Sequence, residues 1–204
     1  MTELLPDEGV IARIAERHGT AAAQRLRQWR ELVRTIHGLP EEQRVERVNR
    51  FFNRIPNRTD QEHWGRADYW ATPLELLVTH GGDCEDFALA KYFTLRAAGV
   101  PDERLRVTYV RAWIASERRL ESHMVLAYYP YADAEPLILD NLVYEIKPAS
   151  ERTDLTPTLG FNAAGLWAAK QRGQGQRVGE VDRIHHWIEF MQRWGEQQRT
   201  GAIR

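Results

Sequence analysis

Hydrophobic side chains in the first part of the chain recur at helical spacing. Between residues 7 and 37 they fall three or four positions apart, and the pattern breaks at residues 18–20, which predicts two consecutive helices. Pro40 favours the start of another helix, which keeps this spacing to about Phe52. Two further elements follow, a loop that carries aromatic side chains and a short helix: residues 54–69 and residues 72–78.

The next segment is apolar on nearly every side. It follows Gly81 and Gly82, and the pattern predicts a helix that begins at Cys84 with Asp83 as its N-cap. Asp86 stands three residues after Asp83, where the acidic partner of a capping box lies. Because apolar residues occupy nearly the whole circumference, we expect this helix to be central and buried.

Beyond the central helix, apolar and polar positions alternate, which is typical of half-buried strands. Short turns separate these segments, so we expect an antiparallel meander behind the helix. The remaining C-terminal part is interpreted mainly as loop, followed by a helix whose apolar face packs on the body of the protein or, less plausibly, binds a partner. The expected elements are strands at 106–113, 122–129 and 136–140, an edge strand at 144–147, a loop at 148–180 and a helix at 181–194.

Size and composition favour one ordinary globular domain. A chain of 204 residues can bury a sizeable core. A net charge of −1 argues against a broad nucleic-acid-binding surface, and no apolar run approaches the roughly 20 residues that would span a bilayer. We therefore expect neither nucleic-acid binding nor membrane insertion. We interpret residues 1–204 as a single α+β domain with three parts: residues 1–55 (helical), 56–147 (core) and 148–204 (loop and C-terminal helix).

Cys84 is the only cysteine of the chain and the first residue of the expected central helix. At a helix N-terminus, backbone N–H groups and the helix dipole stabilise a thiolate, which is the nucleophilic form of the side chain. A lone cysteine is more often an inert buried thiol. Inert thiols usually lie within elements, however, and not at an acidic, glycine-led helix start, so this position favours a nucleophile.

A cysteine nucleophile needs a base, and the base needs a group that orients it. His123 lies on the second expected strand and Asp140 at the end of the third. Neighbouring antiparallel strands can bring these residues together at the mouth of the helix that begins with Cys84. The chain has seven histidines, so His123 alone is as readily a structural residue. The joint arrangement is what indicates Cys–His–Asp chemistry.

Five short segments of the chain match a known family. They are His-Trp-Gly (63–65), Tyr-Trp-Ala-Thr-Pro-Leu-Glu (69–75), Gly-Gly-Asp-Cys-Glu-Asp-Phe-Ala-Leu-Ala-Lys-Tyr (81–92), Ser-His-Met-Val-Leu (122–126) and Leu-Asp-Asn (139–141). These residues resemble the bacterial transglutaminase-like cysteine proteinases, and among them the LapG-type periplasmic adhesin proteases. The resemblance covers residues 40–170. It implies a papain-like, transglutaminase-like core, in which a cysteine-bearing helix packs against an antiparallel sheet and residues 56–147 form the catalytic core.

The resemblance also implies roles and partners. Cys84 would be the nucleophile, His123 the base and Asp140 its orienting group. The substrate would be the N-terminal module of a large surface adhesin that controls biofilm attachment, cut at a site of small residues. The regulator would be the periplasmic domain of a LapD-like receptor that senses cyclic di-GMP. A periplasmic location rests on the resemblance alone, because the sequence contains no export signal and would otherwise be interpreted as cytoplasmic.

The acidic residues around Cys84 point to a metal ion. Asp83, Glu85 and Asp86 would each raise the pKa of the thiol, against the needs of a nucleophile. Ca²⁺ prefers oxygen ligands and would offset these charges. The resemblance likewise implies calcium dependence, with acidic residues beside the cysteine as ligands. Each of the three also suits a helix N-terminus without any metal, and Asp86 in particular serves as a cap.

Stabilising the oxyanion of a tetrahedral intermediate requires hydrogen-bond donors. The backbone N–H of Cys84 is one candidate. The indole N–H of Trp70 is a second, weaker candidate, since a tryptophan at such a position is more often part of the core.

Three alternatives to a calcium-dependent peptidase stay open on the sequence alone. An amine could resolve the same acyl-enzyme, which would make the protein a transglutaminase or an amidase. The fold could also serve as a non-catalytic calcium-binding adaptor, although all three catalytic residue types are present. A zinc site formed by His80, Cys84 and His123 is disfavoured, because zinc on the sulfur would remove the nucleophile.

Overall fold

The structure, a computed structural model, describes residues 4–169 and 175–203. Within these ranges seven α-helices combine with one antiparallel sheet of seven strands, which confirms the α+β prediction. The helices are α1 (Glu8–His18), α2 (Thr20–Ile36), α3 (Glu41–Phe52), α4 (Asp60–Trp64), α5 (Pro73–Thr79), α6 (Cys84–Ala97) and α7 (His185–Thr200). The strands are β1 (Leu105–Ile114), β2 (Arg119–Tyr128), β3 (Leu137–Leu139), β4 (Lys147–Pro148), β5 (Leu155–Asn162), β6 (Gly165–Ala168) and β7 (Gln176–Gly179).

The first three helices form where the hydrophobic spacing predicts them. Asp7 caps α1, since its Oδ1 accepts a hydrogen bond from the backbone N–H of Val10 at 2.7 Å. Gly19 separates α1 from α2 with a φ of 84°, a left-handed conformation that a residue with a side chain rarely adopts. The predicted break within residues 7–37 is therefore confirmed.

Helix α6 is the centre of the main core. Every position from Asp86 to Leu95 is buried, as its nearly all-apolar sequence predicts. Trp29 of α2 packs against it and donates its indole N–H to Thr94 Oγ1 at 2.8 Å. The aromatic residues of α7 complete this packing, with the ring of Trp187 stacked on that of Phe93 at 5.9 Å between centroids. The apolar face of the C-terminal helix thus packs on the body of the protein, as predicted.

The strands follow the order β4-β3-β2-β1-β5-β6-β7, with β1 at the middle of the sheet. Strand β2 pairs with β1 so that His123 lies opposite Val110. Alternate residues of β2 point to opposite faces. Met124 and Leu126 join the core around α6, whereas Val125 belongs to a smaller apolar cluster on the other face. One face of the sheet therefore packs against α6, and the other face carries the smaller apolar cluster.

Two predicted loops contain regular structure. The segment 54–69 includes α4, which a capping box between Thr59 and Glu62 begins. The segment 148–180 holds β5, β6 and β7 in its described part, so the loop prediction there is wrong; residues 170–174 lie outside the described residues. Prolines and glycines interrupt the alternation of these strands, which made them look like loop. None of the helices in the described ranges is long and apolar enough to cross a membrane.

The chain that leads into α6 leaves no room for a side chain at Gly82. A Cβ at this position would lie 2.5 Å from Asp86 Oδ2 and 2.8 Å from Leu76 Cδ1, and both of these side chains are buried. We expect Gly82→Ala to lower the free energy of unfolding by about 1–3 kcal/mol, because the buried neighbours must move. Urea denaturation of the two proteins measures the difference.

Gly81→Ala is the matched control. Its Cβ would lie 2.6 Å from Cδ of the Arg58 side chain, which is flexible and can turn away. We expect a loss of no more than about 0.5 kcal/mol. Equal losses for the two variants would contradict the steric explanation.

Candidate active site

Cys84 lies half-buried at the first position of α6. Its S–H group donates to Glu85 Oε2 at 2.9 Å. On the sheet side, the backbone N–H of Met124 is near enough to lower the pKa of the thiol. Met124 directly follows His123 on β2, so the cysteine stands beside the strand that carries the predicted base.

His123 and Asp140 form a buried pair. Strand β3 pairs with β2 up to Leu139 opposite Leu126, and Asp140 is the next residue of the chain. The two side chains therefore lie near each other on one face, where His123 Nε2 and Asp140 Oδ1 are 2.8 Å apart. Because Nε2 is engaged by the carboxylate, Nδ1 is the ring nitrogen left for other chemistry.

Asp140 has further hydrogen-bond partners in addition to His123. Its Oδ1 also accepts the backbone N–H of Leu142 at 3.0 Å, and its Oδ2 accepts Arg152 Nη2 at 2.7 Å. Burial by itself raises the pKa of Asp140, but the hydrogen bond and charge of His123, the N–H of Leu142 and the guanidinium of Arg152 outweigh it and hold the pKa at about 2. The carboxylate is therefore ionised in the pair.

Two further side chains hold the backbone of Asp140. Its carbonyl oxygen accepts hydrogen bonds from Asn53 Nδ2, directly after α3, at 2.8 Å and from Lys91 Nζ of α6 at 3.1 Å. Burial lowers the pKa of Lys91 to about 7. The roles of Asn53, Lys91 and Arg152 were not predicted, because nothing in the spacing of these residues shows that they converge on one aspartate.

The electrostatic surroundings of Cys84 oppose its ionisation. Burial raises the pKa of the thiol, and the charge and hydrogen bond of Glu85 and the charge of Asp83 raise it further. The N–H of Met124 acts in the opposite direction and does not compensate. This is the conflict that the acidic sequence around the cysteine predicts.

Three carboxylates gather beside Cys84. Asp60, Asp83 and Glu85 each place one oxygen so that the three atoms lie within 4.8 Å of one another. Among the described residues, Asp60 Oδ1 and Asp83 Oδ1 are buried and have no hydrogen-bond partner. Burial raises the pKa of Asp60 to about 6, and burial with the charges of Glu85 and Asp60 raises that of Asp83 to about 9. Buried carboxylate oxygens without a hydrogen-bond partner, on residues of such a cluster, fit a hard divalent cation.

Asp86, which is also a predicted metal ligand, does not belong to this group of three carboxylates. It is fully buried, and its Oδ1 accepts the backbone N–H of Ala71 at 2.6 Å while its Oδ2 accepts that of Asp83 at 3.2 Å. Asp86 thus caps α6 and fixes the preceding chain. Asp60 takes the third place beside Asp83 and Glu85. No sequence pattern indicates this role, because Asp60 lies in the segment interpreted as a loop.

Trp70 and the zinc alternative receive no support. The indole N–H of Trp70 donates to Asp68 Oδ1 at 3.1 Å, so it is occupied and not available to an oxyanion in this arrangement. The ring is buried and stacks on Phe161 at 5.7 Å between centroids, as a core residue does. Within the described parts of the chain, His80, Cys84 and His123 do not come together as a group with metal-ligand spacing.

The fold and the site define a class of protein: a cysteine at the start of a buried helix, set against an antiparallel sheet that carries a histidine–aspartate pair, is the arrangement of papain-like and transglutaminase-like enzymes. Comparison with family models agrees. The chain belongs to the bacterial transglutaminase-like cysteine proteinases, whose model matches residues 23–156. The protein is therefore a member of a cysteine protease family, and the fold and family predictions are confirmed.

Solved structures of LapG from Legionella pneumophila are similar to this chain over 90% of its length. The EGTA-treated form has a TM-score of 0.77 and 38% sequence identity, with 97% of that chain covered. The calcium-bound form has a TM-score of 0.75 and 41% identity, with 96% covered, and a further LapG structure has 0.75 and 38%, with 95% covered. A comparison with curated protein sequences gave no match.

The low pKa of Asp140 makes its contribution to stability depend on pH. A depressed carboxylate stabilises the folded state above its unfolded pKa of about 4, and this contribution is lost as the pH falls through the folded pKa of about 2. We expect the difference in unfolding free energy between the wild type and Asp140→Asn to shrink by about 2 kcal/mol from pH 5 to pH 2. Urea denaturation across this range measures it.

Asp182→Asn, at an exposed position before α7, is the control and should leave the pH dependence of the wild type unchanged. A difference between the wild type and Asp140→Asn that stays constant with pH would show that Asp140 does not titrate in this window.

Proposed function

We propose that this protein is a calcium-dependent periplasmic cysteine endopeptidase with a Cys84–His123–Asp140 triad. The observation that carries the proposal is the buried hydrogen bond between His123 Nε2 and Asp140 Oδ1 at 2.8 Å, on a strand whose next residue, Met124, lowers the pKa of the Cys84 thiol through its backbone N–H. Membership of the cysteine proteinase family supports it.

The chemistry proceeds through an acyl-enzyme. His123 takes the proton of the Cys84 thiol, and the resulting thiolate attacks the carbonyl carbon of the scissile peptide bond, forming a C–S bond while the carbonyl oxygen becomes the oxyanion. The C–N bond then breaks, and the leaving amine takes a proton from His123. Water attacks the thioester after giving a proton to His123, and the C–S bond breaks to release the acid and regenerate the thiol. Asp140 orients the imidazole through Nε2, so that Nδ1 is the atom that carries the proton.

The start of α6 supplies the remaining catalytic group. The backbone N–H of Cys84 lies at the helix N-terminus, where it has no partner within the helix and can donate to the oxyanion. The adjacent dipole also favours negative charge at this end of the helix. The oxyanion is thereby stabilised by backbone groups that fold together with the nucleophile.

Asp60, Asp83 and Glu85 would hold the calcium ion. The carboxylate cluster and its two unpartnered buried oxygens fit this ion, and the similar Legionella LapG has a calcium-bound form. When bound, the ion supplies positive charge that offsets the carboxylates beside the thiol and so favours the thiolate. Glu85 is the residue through which the two sites meet, because it accepts the S–H of Cys84.

The biological assignment follows the resemblance to LapG-type proteases. The proposed substrate is the N-terminal region of a large surface adhesin, whose cleavage ends biofilm attachment. The proposed regulator is the periplasmic domain of a LapD-like receptor for cyclic di-GMP, which binds the protease and withholds it from the substrate. Similarity to LapG over 90% of the chain supports both assignments.

Cleavage of an adhesin N-terminal region should depend on the triad. We expect Cys84→Ala to abolish cleavage and His123→Ala to slow it by on the order of 10²–10⁴-fold, because the base is lost. Gel analysis of the purified adhesin region from the same genome, incubated with each variant, measures the rate. His185→Ala removes an exposed histidine of α7 and should cleave at the wild-type rate.

Full cleavage by Cys84→Ala would refute the proposed mechanism. If the wild type instead links a labelled amine to a glutamine-containing acceptor without cutting the peptide chain, the enzyme is a transglutaminase and the peptidase proposal is wrong.

Calcium should bind through Asp60. We expect Ca²⁺ to raise the unfolding temperature of chelator-treated protein, because a ligand that binds only the folded state stabilises it. Asp60→Asn should raise the Ca²⁺ concentration for half of this effect by about tenfold or more, since one charged ligand is lost. Thermal unfolding across a calcium titration measures both.

Asp86→Asn separates metal binding from helix capping. Because Asp86 caps α6 outside the carboxylate cluster, this variant should lose stability equally with and without calcium. Loss of the calcium effect in Asp86→Asn, together with its retention in Asp60→Asn, would reverse the assignment of the ligands.

A further inference from the structure

Arg152 is a buried arginine that the proposed mechanism does not use. Its side chain is 4% exposed and lies in the turn that leads into β5, where Leu155 donates its backbone N–H to the Arg152 carbonyl at 3.0 Å. Strand β5 pairs with β1 on the side away from β2. The guanidinium therefore reaches Asp140 from a part of the sheet separate from the strands that carry His123 and Asp140.

The guanidinium joins two carboxylates. Its Nη2 lies 2.7 Å from Asp140 Oδ2 and 2.7 Å from Asp154 Oδ2, and its Nε lies 2.9 Å from Asp154 Oδ1. Asp154 is itself fixed, because its carbonyl accepts the backbone N–H of Trp113 of β1 at 2.8 Å. Asp154 thus orients Arg152, and Arg152 contacts Asp140.

This contact decides which way the Asp140 carboxylate faces. The last torsion of an aspartate is broad, so a single hydrogen bond to His123 does not fix the plane of the carboxylate. With Arg152 on Oδ2, only Oδ1 is left for His123 and for the backbone N–H of Leu142. The guanidinium fork is suited to this task because its geometry is planar and rigid.

The fold alone gives little reason for the ion pair. Burying charges costs solvation energy that their attraction only partly repays, and an apolar replacement of such a set is often neutral or stabilising. We propose that Arg152 is a positioning residue that holds Asp140 Oδ2 so that Oδ1 stays on His123; this inference rests on the proposed Cys84–His123–Asp140 function.

A double-mutant cycle between Arg152 and Asp140 tests the inference. We expect Arg152→Met to lower kcat by on the order of 10²-fold with KM changed by less than about threefold, because positioning acts on the reacting groups and not on substrate binding. If Arg152 acts through Asp140, Asp140→Asn should show a similar loss, and the double variant should be no worse than Asp140→Asn alone. The rate of Cys84 alkylation by iodoacetamide near neutral pH should follow the same order without needing a peptide substrate.

Two further variants separate positioning from folding. Arg152→Lys keeps the positive charge and should recover kcat to within about tenfold of the wild type. The recovery is incomplete because a lysine cannot bind both carboxylates as the guanidinium fork does. Arg104→Met removes a partly buried arginine that donates to Glu41 at 2.8 Å in the helical part of the protein. This control should lower the unfolding temperature without changing the alkylation rate.

Losses that multiply in the Arg152→Met, Asp140→Asn double variant would overturn the inference, as would wild-type kcat in Arg152→Met. Neither result would touch the proposed triad, which fails separately if Cys84→Ala retains cleavage. If Arg152→Met does not fold, Arg152→Lys takes its place in the double-mutant cycle. The four proteins are then the wild type, Arg152→Lys, Asp140→Asn and the variant that carries both substitutions.

Discussion

The hydrogen bond between His123 and Asp140 is the interaction on which the site depends. It requires that β2 and β3 pair in one register, since a shift by one residue would send either side chain to the opposite face of the sheet. It also requires a charged carboxylate in a buried place, which is unfavourable without compensation. His123, the backbone N–H of Leu142 and the guanidinium of Arg152 bind the carboxylate and supply that compensation, and they come from a strand, a loop and a turn.

On the Cys84 side of the site, neighbouring carboxylates repel one another. Asp60, Asp83 and Glu85 crowd the start of α6, where burial and mutual charge disfavour both their own ionisation and that of Cys84. Capping of α6 accounts for two acidic residues, because Asp83 is its N-cap and Asp86 accepts the backbone N–H of Asp83. Asp60 and Glu85 add negative charge that capping does not need and that a bound cation would offset.

Much of the fold follows from the sequence, because α6 is long and apolar and because β1 to β3 alternate regularly. Strand β5 could not be predicted, since its pairing with β1 and β6 compensates for the Pro157 and Gly160 that break its pattern, and β6 and β7 depend on β5 for their place in the sheet. The same limit applies to the site. Cys84, His123 and Asp140 stand at ends or alternate positions of strong elements, whereas Asp60 and Arg152 reach the site from segments interpreted as loops. The roles of Asp60 and Arg152 depend on tertiary contacts, which the spacing of residues along the sequence does not predict.

Charge is compensated differently on the two sides of the site, and the difference has a functional meaning. The Asp140 side is compensated by the protein's own groups, so the histidine is oriented as soon as the chain folds. The Cys84 side lacks a protein cation among the described groups that shift the thiol pKa, which are carboxylates, burial and one backbone N–H. In the function proposed above, a calcium ion would therefore act on the reactivity of the sulfur without disturbing the histidine. The geometry of the histidine–aspartate pair is fixed by the fold itself.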